Sequence, residues 1–170
     1  MADPPEYRAA VQTRPVLNTY SAVPLTTQVL TVYQAPTPSK VPTLFTVQVR
    51  SEDAGEPLRA VFFLDYQIKP SSDPHQDGER FLISRTIAAS TYDNLGRTAT
   101  YGWSPMTTSG CHFITLIVAH ESTFLQNDLV HLDQRYADDD AAILTWTVNV
   151  DPSADMSLKN CPTKTDSPAP

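Results

Sequence analysis

Glycine is scarce in this sequence, which has 5 glycines against 15 prolines in 170 residues. Because the few glycines are scattered, the chain has no glycine-rich loop of the kind that cradles a phosphate. Proline fixes φ and removes a backbone donor, so it belongs at strand edges, in turns and in extended tails. This balance argues against a helical protein.

Long apolar runs and an excess of positive charge are also missing. No run of 18 or more apolar residues and no basic amphipathic helix is present, so we expect no contact with a membrane except through a lipid anchor outside this chain. The net charge of −7 disfavours binding to a phosphate backbone. We therefore expect no nucleic-acid partner.

Cysteine occurs only twice, at Cys111 and Cys161. A zinc site of soft ligands needs more cysteines, and a redox CxxC motif needs a two-residue spacing, so neither fits. We predict a disulfide that ties the C-terminal tail to an earlier strand. It closes a 50-residue loop, and the chain-entropy estimate for such a loop is ~3 to 4 kcal/mol. Two unrelated thiols in a reducing compartment are the alternative.

What the sequence does contain is a series of β-branched and aromatic runs separated by turn signals. Apolar and polar residues alternate in three segments: Thr43–Arg50, Gly110–His120 and residues 143 to 150. We predict that Gly110–His120 and residues 143 to 150 form adjacent antiparallel strands. Residues 58 to 68 are the most apolar stretch of the sequence, as expected of a central strand that is covered on both faces. Residues 16 to 23 and 28 to 33 are predicted to be short edge strands.

Seven to nine strands without a long helix indicate an all-β fold, an immunoglobulin-like two-sheet antiparallel sandwich, with a barrel as the alternative. We assign residues 16 to 150 to the sandwich, 1 to 15 to an extended N-terminal tail, and 151 to 170 to a Pro/Ser-rich tail tethered through Cys161. Residues 121 to 142, the long connection, exceed the usual length of a hairpin loop. We expect this segment to be functional and to carry a short helix.

The string from 110 to 118 resembles the penultimate strand of bacterial immunoglobulin-like domains, in which a glycine and then a His or Tyr precede an alternating run. Over residues 40 to 162 the sequence resembles the single-domain immunoglobulin-like outer-membrane lipoproteins of myxobacteria-type bacteria. The motifs that carry this resemblance are VFFLDY at 61 to 66, GCH at 110 to 112, ILTWTV at 143 to 148 and the string at 110 to 118. The resemblance implies a secreted or periplasmic, outer-membrane-associated protein and says little about activity. A signal peptide and a lipid-bearing cysteine precede the domain in that family, and we expect the start of this sequence to be trimmed.

Four lone histidines are candidates for ligand chemistry. His112 is predicted to face inward, where its ring bonds a backbone carbonyl and pins the preceding corner. His75, His120 and His131 match no metal-binding motif, so we expect them to be solvated surface residues.

An acidic run, Asp138, Asp139 and Asp140, ends the long connection. With Asp128 or Asp133 it offers oxygen ligands for calcium, but the alternating ligands and central glycine of an EF-hand are missing. We favour an exposed acidic turn or a helix cap.

Catalytic motifs are missing as well: the sequence has no GxSxG elbow, no glycosidase-like pair of carboxylates and no evident Ser, His and Asp set. We therefore predict a protein that is not an enzyme and has no metal or cofactor.

Three hypotheses for function follow. The first is a noncatalytic module that binds a protein partner of the cell envelope through the long connection, by analogy with binding loops on other sandwiches. The second is carbohydrate binding or adhesion by stacking of exposed aromatic rings. The third is a metal-dependent enzyme or sensor built on His120, His131 and the acidic run.

The first two hypotheses name candidate residues. The candidate partner-binding residues are Phe124, Leu125, Leu129, Tyr136, Asp138, Asp139 and Asp140. The candidate sugar-stacking residues are Tyr92, Tyr101 and Trp103, and Trp103 suits a core position equally well.

Overall fold

The computed structural model describes residues 13–34, 42–66, 80–91, 94–105, 109–123, 140–151 and 161. Within these residues the chain forms eight strands and one 3₁₀ turn: β1 Val16–Val23, β2 Val29–Val32, β3 Thr43–Arg50, β4 Leu58–Leu64, β5 Arg80–Ile87, β6 Gly96–Trp103, β7 Gly110–His120, the turn Glu121–Thr123, and β8 Ala142–Val150. No helix in this described part is long and apolar enough to cross a membrane.

The strands form two sheets, one of three strands in the order β1-β3-β6 and one of five in the order β2-β8-β7-β4-β5. The strand pairs are antiparallel except β2 and β8, which run parallel. An immunoglobulin sandwich places strands A, B and E in one sheet and C, F and G in the other. Here β1, β3 and β6 correspond to the first set, and β4, β7 and β8 to the second. The predicted immunoglobulin-like sandwich is confirmed, and β1 and β2 lie at sheet edges as expected.

The core lies between the sheets and is built from alternate residues of facing strands. Phe45 from β3 meets Trp146 from β8 edge to face, with ring centroids 5.3 Å apart. Apolar residues of β4 and β7 fill the space beside these rings. Both sheets therefore bury one complete face, as the alternation in β3, β7 and β8 predicts. The largest fully buried apolar side chains are Trp146, Phe45, Phe62, Leu58, Ile114, Leu116 and Ile117.

The central strands β4 and β7 are also buried on the outer face of the five-stranded sheet. A second apolar cluster there consists of Val61, Phe63, Ile117, Ala119 and Ala141. The prediction that the apolar run at 58 to 68 is covered on both faces is confirmed for β4. The strand ends at Leu64, earlier than expected, because the next residue has a φ of 55° and leaves the extended conformation.

The disulfide between Cys111 and Cys161 is present, with the two Cα atoms 5.2 Å apart. Cys111 lies at the start of β7 and Cys161 is buried. The predicted disulfide is thus confirmed.

Candidate functional site

A cluster of polar residues lies at the end of the sandwich where β3 and β7 finish and β8 begins. The His120 cluster consists of Ser51 and Asp53, which follow β3, His120 at the end of β7, and Asp140 before β8. Even-numbered residues of β7 face the core, so the two-residue period of the strand turns the ring of His120 inward. The ring is fully buried.

His120 and Asp140 contact each other through two atoms of each residue. The Nδ1 atom of the ring lies 2.7 Å from Asp140 Oδ1, and the backbone N–H of His120 donates to Oδ2 over 3.1 Å. Since an ionised carboxylate only accepts hydrogen bonds, Nδ1 carries the hydrogen. His120 immediately precedes the long connection and Asp140 lies two residues before its end, so the contact, the His120–Asp140 clasp, ties the two ends of this segment together.

The opposite side of the His120 ring faces the loop after β3. Its Nε2 atom is 3.3 Å from Ser51 Oγ and 3.3 Å from Asp53 Oδ2. Ser51, His120 and Asp140 thus have the order of contacts of a hydrolase triad, a set that the sequence did not reveal. However, Ser51 is 3% exposed, and its Oγ accepts the N–H of Asp53 over 3.2 Å. In this structure the set therefore connects the loop after β3 with the end of β7 and the start of β8.

Arg97 of β6 holds the loop that joins β3 to β4. Its guanidinium donates to the carbonyl oxygens of Asp53, Ala54 and Glu56 over 2.7 to 3.1 Å, and its Nε donates to Ser90 Oγ over 3.1 Å. Burial lowers the pKa of Arg97, and the charge of Asp53 opposes that shift. The side chain thus fixes the loop that carries Ser51 and Asp53.

Glu121, the first residue of the long connection, is bonded to both neighbouring strands. Its Oε1 accepts hydrogen bonds from Arg59 Nη2 over 2.7 Å and Thr86 Oγ1 over 2.8 Å, and its N–H donates to the carbonyl of Pro57 over 2.9 Å. The two side-chain hydrogen bonds lower the pKa of Glu121, burial opposes them, and the charge of Arg59 adds to the lowering. The connection therefore leaves the sandwich from a fixed point.

Glu121→Gln is expected to reduce the free energy of unfolding by about 0.5–1 kcal/mol at neutral pH, the range for a partly exposed ion pair. Because the pKa of Glu121 is lowered from 4.5 by folding, its contribution is present above that value and is lost as the pH falls through the lower, folded value. In urea unfolding, the difference between parent and variant should be largest at pH 7 and should shrink as the pH falls below 4.5. Glu52→Gln, at an exposed glutamate of the loop after β3, is the control. A difference that does not change with pH would contradict the assignment.

No family model and no curated protein matches the chain. Among solved structures, the chain is similar to the one titled "Structure of T.fusca AA10A", with 14% identity and a TM-score of 0.37. The match covers 72% of this chain and 52% of that one, so the chain spans about half the length of that structure. A similarity this low carries no argument, and the fold assignment rests on the strand order described above.

Of the predicted partner-binding residues, Asp140 is the one that the structure describes. It lies in a turn but is half-buried and bonded to His120, so the expectation that this residue is exposed is wrong, and its role in partner binding stays a prediction. The prediction of a solvated His120 is also wrong, because β7 keeps its alternation to its last residue. Outside the described residues lie Phe124, Leu125, Leu129, Tyr136, Asp138, Asp139, His75, His131, Asp128 and Asp133.

The predicted sugar-stacking rings of β6 belong to the core. Trp103 is buried, with its ring centroid 6.2 Å from that of Phe45, and Tyr101 packs against Phe62 at 5.0 Å. Odd-numbered residues of β6 point between the sheets, so the prediction of exposed platforms is wrong for these two residues. Tyr92 lies outside the described residues.

His112 pins a corner at the start of β7, but its partner is not the backbone carbonyl that we expected. Its Nδ1 atom is 2.7 Å from Asp65 Oδ2, and Asp65 Oδ1 accepts the N–H of Phe113 over 2.9 Å. The N–H of Asp65 donates in turn to the carbonyl of Phe113 over 2.7 Å. Asp65 thus joins the end of β4 to β7, and the contact is structural.

Metal ligation finds no support in the part of the chain that the structure describes. No group of three or more His, Cys, Asp or Glu residues is arranged there to hold an ion. His120 and Asp140, two of the residues considered for a metal site, are bonded directly to each other.

Proposed function

We propose that this chain is a noncatalytic module of the bacterial cell envelope that binds a protein partner through the long connection. The observation that carries the proposal is the His120–Asp140 clasp, a two-point contact in which a fully buried ring holds the two ends of one segment together. Binding residues on other sandwiches lie in loops displayed by a rigid scaffold.

The residues next to the clasp reinforce the scaffold. Ala119 of β7 and Ala141, which directly precedes β8, lie next to the two residues of the clasp and are buried in the outer apolar cluster of the five-stranded sheet. Glu121, just outside it, is bonded to β4 and β5 through Arg59 and Thr86. Because the positions of both ends are fixed before binding, the connection loses less conformational freedom when a partner binds.

Two further observations support a location outside the cytoplasm. The disulfide between Cys111 and Cys161 is of the kind that persists in oxidising compartments. The resemblance to immunoglobulin-like lipoproteins of the envelope points in the same direction.

Shortening the connection tests the proposal. Residues 122 to 139 are replaced by a short Gly/Ser linker, which retains Glu121, His120 and Asp140. Chemical cross-linking in envelope preparations, followed by co-purification, should recover partners with the parent chain and lose them with this variant.

The matched control replaces residues 69 to 78, the other long polar loop, with a similar linker, and both variants are first shown by circular dichroism to be folded. Partner recovery that is unchanged in the connection variant, or equally reduced in both variants, would overturn the proposal.

A further inference from the structure

The outer face of the three-stranded sheet differs in charge from the rest of this acidic chain. In β3 its residues are Leu44, Thr46, Gln48 and Arg50, and they pair with Gly102, Thr100, Thr98 and Gly96 of β6. None of these residues is acidic, although the chain carries a net charge of −7. The face is therefore neutral to positive and is rich in hydroxyl and amide groups.

At the end of this face nearest Ser51, an open groove of about 540 Å³ lies between β3 and the turn before β6, lined by Gln48, Arg50, Asn94, Leu95, Gly96, Arg97 and Thr98. That volume lies within the range of small-ligand sites. Gly96 keeps the groove open: a Cβ atom there would meet only Asn94 Oδ1, at 3.5 Å. A larger side chain at position 96 is therefore expected to occupy the groove without straining the backbone.

The polar lining suits a ligand that carries many hydroxyl groups. The amides of Gln48 and Asn94 and the hydroxyl of Thr98 each both donate and accept hydrogen bonds. No side-chain hydrogen bond within the described residues occupies these three groups. Leu95 is the one apolar residue of the described lining, so the groove offers little to the aromatic or aliphatic anchors by which peptides and proteins bind.

The charge of the groove favours an anion. Arg50 is exposed and makes no ion pair with any described residue. Arg97 also lines the groove, but its guanidinium bonds the backbone carbonyls of residues 53, 54 and 56 and lies near the charge of Asp53, so we assign the contact with an anion to Arg50. None of the described lining residues is acidic, so none of them neutralises Arg50. A guanidinium matches the geometry of a carboxylate through two parallel hydrogen bonds.

We infer that this groove binds an acidic polysaccharide, with a uronic-acid carboxylate at Arg50 and sugar hydroxyls at Gln48, Asn94 and Thr98. The site lies on the opposite sheet from Glu121 and needs no residue of the long connection. It is thus a second binding function, separate from the protein contact proposed above.

Isothermal titration of the full chain with galacturonic-acid oligomers tests the inference, with the same oligomers as methyl esters for comparison. The parent should bind the acid form, and the ester about tenfold or more weakly, because esterification removes the charge that faces Arg50. Arg50→Gln and Gly96→Leu should each weaken binding of the acid form about tenfold or more. Inorganic phosphate, titrated alone, shows whether any small anion suffices.

Arg85→Gln is the matched control, since Arg85 is an exposed arginine on β5 of the other sheet, and it should leave binding unchanged. Thermal unfolding identifies any variant that fails to fold, and Arg50→Gln decides the question if Gly96→Leu does so. The inference is overturned if the parent does not bind the acid form or if it binds phosphate as tightly as the oligomer. It is also overturned if Arg50→Gln binds the oligomer as tightly as the parent, or if Arg85→Gln weakens binding as much as Arg50→Gln does. The variant with the shortened connection should still bind, which separates this outcome from that of the proposed function.

Discussion

Trp146→Ala is expected to lower the free energy of unfolding by about 3–5 kcal/mol, the range for removing a buried tryptophan. The ring is 1% exposed and meets Phe45 edge to face. Its indole N–H donates to the carbonyl of Pro24 over 2.8 Å, a bond that joins β8 to the turn between β1 and β2. Alanine would leave a cavity in the centre of the core and remove the donor from that carbonyl.

Trp146→Phe separates the two contributions to this effect. Phenylalanine keeps part of the apolar contact with Phe45 but cannot donate to Pro24, so its cost should exceed the ~0.5–1.5 kcal/mol of one hydrogen bond and remain below that of alanine. Tyr20→Ala is the control, because Tyr20 is 95% exposed and surface substitutions change stability by no more than about 0.5 kcal/mol. Urea unfolding followed by far-ultraviolet circular dichroism measures all three. A loss below about 1 kcal/mol for Trp146→Ala would show that the core is not built around this ring.

The strands of this fold are predictable because their signal is local. Phe45, Val47 and Val49 alternate with polar residues within eight positions, and all three are buried. The largely apolar sequence of β4, in which Arg59 is the one charged residue, likewise indicates a strand that is covered on both faces. A two-residue period can be read in a short window of sequence, and the hydrophobic effect then decides which face is buried.

The same two-residue period extends through β6 and β7. In β6, Ala99, Tyr101 and Trp103 alternate with threonine and glycine, and these three residues point into the core. The alternation in β6 therefore indicates core positions, and not surface platforms, for the two aromatic rings. In β7, His120 follows Ile114, Leu116 and Val118 at the same two-residue spacing, so its burial is also predictable from the sequence.

The residues that bond to His120 cannot be predicted from the sequence. Ser51 and Asp140 lie 69 and 20 residues away from it in the sequence, and both are in loops, where no periodicity constrains the direction of a side chain. The open groove likewise combines residues that are distant in the sequence, from β3 and from the turn before β6. Which loop residues meet depends on how the two sheets pack, and that is a property of the whole fold.

Loss of the His120–Asp140 clasp should have the second largest effect on stability. Asp140→Ala removes the acceptor from Nδ1 and from the backbone N–H of His120, whose ring is fully buried. Leaving buried donors without an acceptor costs about 2–3 kcal/mol. Asp140→Asn retains an oxygen that can accept from one of the two donors, so it should cost less than alanine. Glu52→Ala, at an exposed site nearby, should be nearly neutral in urea unfolding.

A local measurement distinguishes a clasp that anchors the long connection from one that only adds stability. Arg135 is the only Lys or Arg between His120 and Asp140, so tryptic cleavage after Arg135 reports on this segment alone. In Trp146→Ala, cleavage should rise only as far as the loss of global stability requires, because the clasp is intact. In Asp140→Ala it should rise further than the global loss requires, because the two ends of the segment are released from each other. If both variants follow the same relation between cleavage rate and stability, the clasp does not restrain the connection, and the main support for a pre-organised binding segment is removed.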